Sequence, residues 1–130
     1  MNIYEILMKQ LKILDLFLSR KISKEEFLDL INSEYCNCEI VDENKIPKEV
    51  LEHEKKHIEV LEKYGIKGKI LKCEDIYVVS FDSSKLKNMN RSEILRFLYE
   101  LHSVDSQSDY DNLVSKSVYF YILIEERKKF

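Results

Sequence analysis

A chain of 130 residues that is 45% hydrophobic and 35% charged has room for one core and is too apolar to remain disordered. Its net charge of −3 arises from Lys and Glu interspersed along the whole length, with no basic patch and no RNP-like aromatic motif, which argues against a nucleic-acid partner. Two Gly and one Pro favour helices joined by short connections, within a single domain over residues 1–130.

Met1 to Arg20 reads as a helix. Ile3, Leu7, Leu11, Leu14 and Leu18 form a regular stripe, widened by Ile6, Ile13 and Phe17. Lys9, Lys12 and Asp15 interrupt any continuous apolar run, so the segment is expected to be neither a signal peptide nor a membrane span. A second helix begins at Ile22-Ser23. Ser23 and Glu26 match a capping box, and Asn32-Ser33 marks the end. The short link at Arg20–Ile22 predicts an antiparallel helical hairpin.

Tyr35 to Val41 is β-prone and predicts one short strand. Cys36 and Cys38 would share a face of it. With Cys73 they make three cysteines, an odd count without a C-x-x-C pair, and the expectation is three reduced, buried thiols in a cytoplasmic protein.

Residues 47–64 predict the central helix. Pro47 suits the first turn, Glu49 and Glu52 lie near the positive end, Lys63 lies near the negative end, and Gly65 can take the left-handed stop. Apolar residues recur at Val50, Leu51, Ile58, Leu61 and Tyr64. The gap between them holds His53-Glu54-Lys55-Lys56-His57. Histidines at i and i+4 project from one face and can share a metal ion, and the intervening glutamate can act as general base.

This five-residue pattern resembles the H-E-x-x-H signature of the zincin metallopeptidases. The resemblance implies that His53 and His57 are zinc ligands and Glu54 the base. It covers these five residues only. The metzincin extension would need Gly at position 60 and His at 63, where the chain has Val60 and Lys63. The charged Lys55-Lys56 pair predicts a solvated helix face.

Lys69–Lys72 and Ile76–Phe81 predict a hairpin, with Cys73, Glu74 and Asp75 as its turn. Asn90 and Glu93 open the next helix with a second capping pattern, and Ile94, Leu95, Leu98 and Leu101 form its buried side. That helix ends at His102. His102 or Glu100 is the expected third metal ligand, because zinc needs more than two imidazoles. The polar stretch at Ser103–Asp109 adds Asp105 and Asp109 as further carboxylates, or supplies a helix cap at Ser108 or Asp109.

Asp111 to Phe130 predicts a final helix: the apolar run at 118–124 would suit a buried strand, but no breaker separates it from the polar approach (Asn112, Ser115, Lys116) or the EERKK tail. Its run VYFYILI at 118–124 is too short to span a membrane and too apolar all round for one helix face, which predicts burial or a homodimer contact. The fold class expected is α+β: about five helices (an N-terminal helical hairpin, the central helix 47–64 and two C-terminal helices) with a small antiparallel hairpin or sheet. Two functions are carried forward. One is a zinc-binding protein, a candidate metal-dependent hydrolase; the other is a non-enzymatic helical interaction module without metal. The composition, rich in Lys, Glu and Ile and lacking Ala, Thr and Trp, suits an AT-rich or thermophilic microbe.

Overall fold

The computed structural model describes residues 2–31, 38–104 and 108–127. The expected helix end at Asn32-Ser33, the first part of the Tyr35–Val41 strand, Cys36 and Asp105 lie outside the described residues.

α1 spans Ile3–Leu18. The Asn2 side chain accepts from the Glu5 N–H at 2.9 Å and opens the helix. At the other end Arg20 takes a positive φ of 62°, while Lys21 N–H donates to the Leu16 carbonyl and Arg20 N–H to that of Phe17. This is a Schellman stop, built on an arginine where glycine is usual. α2, Lys24–Ile31, carries the expected Ser23–Glu26 cap. It packs on α1 through stacked Phe17 and Phe27 rings, 4.2 Å between centroids.

The sheet is three-stranded and antiparallel, in the order β1 (Cys38–Ile40), β2 (Gly68–Cys73), β3 (Ile76–Phe81). Cys73 pairs with Ile76, so the hairpin turn is the two residues Glu74-Asp75, not the three expected. Glu74 takes the positive φ such a tight turn demands.

The expectation of three reduced thiols is overturned. β1 pairs with β2 in a register that sets Cys38 opposite Cys73, with 4.2 Å between Cα atoms, and the two form a disulfide. That spacing belongs to the closer type of antiparallel pair, where facing side chains are nearest. An odd count leaves one cysteine over, but it does not prevent the other two from pairing.

α3 runs Lys48–Lys63 and ends as expected: Gly65 has φ 73°, and Ile66 N–H returns to the Leu61 carbonyl at 2.9 Å. α3 lies close against the hairpin because Gly68 has no side chain. A Cβ there would sit 2.5 Å from Leu61 Cδ1. Two 3₁₀ turns that sequence reading missed, Glu43–Lys45 between β1 and α3 and Ser83–Asn88 between β3 and the next helix, are each opened by an aspartate cap.

α4, Arg91–His102, has the full capping box of Asn90 and Glu93. α5, Asp109–Arg127, is helical throughout its described length. The main core joins α1, α2, α4 and α5 through Phe17, Phe27, Ile94, Phe97, Val114 and Val118, with Leu61 of α3 and Leu86 added. A smaller cluster, Ile3, Leu71 and Cys73, sits where α1 meets the sheet.

Arg91 ties this arrangement together. Its guanidinium donates to the Phe17 and Leu18 carbonyls at 2.9 Å each, pairs with Glu125 at 3.3 Å, and lies over the Phe17 ring. It thereby caps the Leu18 carbonyl and adds a second donor to that of Phe17 at the end of α1. The observed fold is α+β, and among the described residues no helix is long and apolar enough to cross a membrane.

Candidate metal centre

α3 and the first turn of α5 build the site. The i, i+4 spacing brings His53 and His57 together, with 3.1 Å between their Nε2 atoms and ring planes nearly perpendicular. α5 supplies Asp111, whose Oδ2 lies 3.3 Å from His57 Nε2 and 3.5 Å from His53 Nε2. These ligand atoms all fall within 4.8 Å of one another, close enough to hold one metal ion.

His57 and Asp111 are each oriented by further contacts. His57 Nδ1–H donates to the Leu101 carbonyl at 2.7 Å, which makes Nε2 the ring nitrogen that faces His53 and Asp111. His102 Nδ1–H donates to Asp111 Oδ1 at 2.8 Å. The Ser108 hydroxyl donates to Asp111 Oδ2 at 2.9 Å and accepts from the Asp111 N–H at 3.1 Å. Asp111 is thus a capping residue of α5 and a member of the His53–His57–Asp111 cluster at once.

The solvated face expected from Lys55-Lys56 is corrected. Lys55 does point to water and pairs with Glu43. Glu54 and His57, however, are buried, and His53 is half-buried. Lysines at two of five helix positions say little about the opposite face, which here packs toward α4 and α5.

Burial shapes the electrostatics. Glu54 is pushed up to about 7 by desolvation; the His57 charge opposes this and the Asp111 charge adds to it. Asp111 feels the same desolvation, but hydrogen bonds and charges from His102 and His57 outweigh it and hold its carboxyl well below the usual carboxylate range. For His57, burial favours the neutral ring, yet Asp111, the Leu101 carbonyl and Glu54 together raise it above an ordinary histidine.

Of the expected ligands, the structure brings His53 and His57 together and places His102 against Asp111, one shell behind. Glu100 is not brought to the pair. Its carboxylate accepts from the Tyr64 hydroxyl at 2.9 Å and pairs with Lys63 at 3.1 Å. Asp109 is exposed at the start of α5. Asp111 is the residue that sequence reading missed. Its signal was the Ser108-x-x-Asp111 spacing, a capping pattern with Asp in the place of Glu.

The site opens onto a cavity of about 990 Å³, lined by α1, β3 and parts of α2, α3, α4 and α5, with His53, Glu54, His57, His102 and Asp111 in its wall. Comparison with protein-family models, curated proteins and solved structures finds no match for this chain.

Proposed function

We propose that the chain is a zinc protein that hydrolyses a carbonyl substrate, with His53, His57 and Asp111 as ligands and Glu54 as general base. One observation carries this reading: the ligand atoms are 3.1, 3.3 and 3.5 Å apart. Tetrahedral ligands about 2.0–2.1 Å from zinc lie about 3.3–3.4 Å from one another. Two His and one carboxylate leave a fourth position open, as catalytic zinc sites require. The carbonyl behind His57 and the imidazole behind Asp111 are the supports that such ligands need.

Zinc held there supplies Lewis acidity toward a carbonyl oxygen and activates a water molecule. Glu54, buried in the wall of the same cavity as the three proposed ligands, accepts one proton of the attacking water. The water oxygen bonds to the carbonyl carbon, the bond to the leaving nitrogen or oxygen breaks, and Glu54 returns the proton to the leaving group. Atoms and charge balance over one water consumed.

Metal analysis of untagged protein tests the reading. One zinc per chain is expected, lost in His53→Ala and in His57→Ala. Glu54→Gln should keep the metal and lose hydrolysis. Wild type binding no more zinc than the histidine variants would sink it, and unchanged hydrolysis in Glu54→Gln would leave the metal purely structural.

The cytoplasmic placement read from sequence sits poorly with the Cys38–Cys73 bond. Disulfides persist in oxidising compartments and, inside cells, chiefly in hyperthermophiles. A heat-adapted source would reconcile the two. The second reading, an interaction module, draws support from α5, which exposes Leu113, Tyr119, Phe120 and Leu123.

A further inference from the structure

β3 has the most apolar sequence of the three strands, IYVVSF, yet none of its six residues is fully buried. The reason is the cavity, which runs along the whole of β3. Leu7 and Leu11 of α1 and Val50 of α3 are likewise half-buried in its wall. Native interiors are close-packed, so this much apolar surface left uncovered by the described residues calls for an occupant. Its volume of about 990 Å³ is at the upper end of small-molecule pockets.

Shape and charge narrow the occupant. α1 lines the cavity from Tyr4 to Leu14, roughly 15 Å at the helical rise, and β3 lines it over a similar span. The space is therefore long. The carboxylates bordering it, Glu49, Asp75 and Asp109, are exposed and make an acidic rim. That rim disfavours an anionic ligand such as a free fatty acid.

We propose that this cavity binds a neutral, straight-chain acyl compound, an ester or amide, with its chain along α1 and β3 and its carbonyl at the His53–His57–Asp111 end. The placement of the carbonyl rests on the metal reading above; the binding of the chain rests on the cavity alone.

Two calorimetric series on the full chain test this. Zinc-loaded protein is titrated with acetohydroxamate, hexanohydroxamate and decanohydroxamate, whose heads bind zinc regardless of the chain. Affinity should rise by at least about tenfold from the six-carbon to the ten-carbon compound, since each buried methylene contributes several-fold. Metal-free protein is titrated with decanamide and acetamide, and only decanamide should bind. Val78→Phe, or Leu11→Phe should the first variant fail to fold, should weaken decanohydroxamate at least about tenfold while leaving zinc and acetohydroxamate binding unchanged. A flat hydroxamate series on protein that binds zinc overturns the acyl site and leaves the metal reading standing. Decanamide binding to a protein that never takes up zinc does the reverse. Binding of neither zinc nor decanamide overturns both.

Discussion

His57 Nδ1 lies 2.7 Å from the carbonyl oxygen of Leu101, a hydrogen bond that crosses from α3 to the end of α4. It satisfies one of the last carbonyls of α4 and fixes which imidazole nitrogen faces the ligand group. One bond therefore closes a helix and sets a tautomer.

Asp111 is where the metal reading can be separated from a purely structural one. Asp111→Asn keeps the shape and removes the charge that faces His57 and His102. Zinc stoichiometry should fall to background. Unfolding in urea should show a loss of about 3–5 kcal/mol in the metal-free protein, as expected when one member of a buried charge cluster is removed. Full zinc occupancy in this variant would remove Asp111 from the ligand set.

The metal-free protein should be most stable in mildly acidic solution. Asp111 is depressed below its ordinary 3.8, so its contribution is present above that pH and is lost as pH falls through the folded value. Glu54 is raised from 4.5 to about 7, so its contribution is present below 4.5 and lost as pH rises through about 7. His57, raised above 6.5, loses its contribution in the same upward direction. Melting temperatures of chelator-treated protein should fall between about pH 5 and about pH 8, and Glu54→Gln should flatten part of that fall. Identical slopes for wild type and Glu54→Gln would refute the assignment.

The disulfide closes a loop across a sequence separation of 35 residues. Cys38→Ser, or reduction of the wild type, should cost about 2–4 kcal/mol in equilibrium unfolding. Mass spectrometry of denatured, non-reduced protein should show two hydrogens fewer than the sequence mass. A full complement of thiols would contradict the pairing.

Gly68→Ala should destabilise the fold by about 1–3 kcal/mol, because the new methyl group would sit 2.5 Å from Leu61 Cδ1 and 3.3 Å from Val79 Cγ1, and the fully buried Leu61 must repack to make room. Leu61→Ala should partly relieve the clash in the double variant, so the two losses should not add. Simple additivity would show that α3 does not press on the hairpin at this point.

The exposed apolar residues of α5 should support a homodimer. Light scattering at high micromolar concentration should return twice the chain mass, and Phe120→Lys, at one of the most exposed large side chains, should return a monomer. A wild-type monomer under those conditions would count against the dimer.

Helix boundaries were the most legible part of the sequence, because caps are local. Ser23–Glu26, Asn90–Glu93 and Gly65 each mark an end within a few residues of themselves. α5 was harder, yet its lack of a breaker decided correctly for helix. What sequence could not show was long-range. The Cys38–Cys73 bond depends on β1 pairing with β2 across the whole of α3. Asp111 joins the histidines only because α5 returns beside α3, and nothing within α3 announces it. The burial of Glu54 was masked by the lysines beside it, since charge on one side of a helix hides what the other side meets.

The reach of Arg91 has a consequence for how the chain is made. Its partners are carbonyls at residues 17 and 18 and a carboxylate at 125, so this knot spans nearly the full sequence. During synthesis from the N-terminus, the turn at Arg20 can cap the Leu16 and Phe17 carbonyls at once, but the Leu18 carbonyl must wait for residue 91, and the Arg91–Glu125 pair for residue 125. The α1–α4–α5 junction therefore closes only after residue 125 has emerged, which makes it a late, long-range event rather than a product of stepwise local growth.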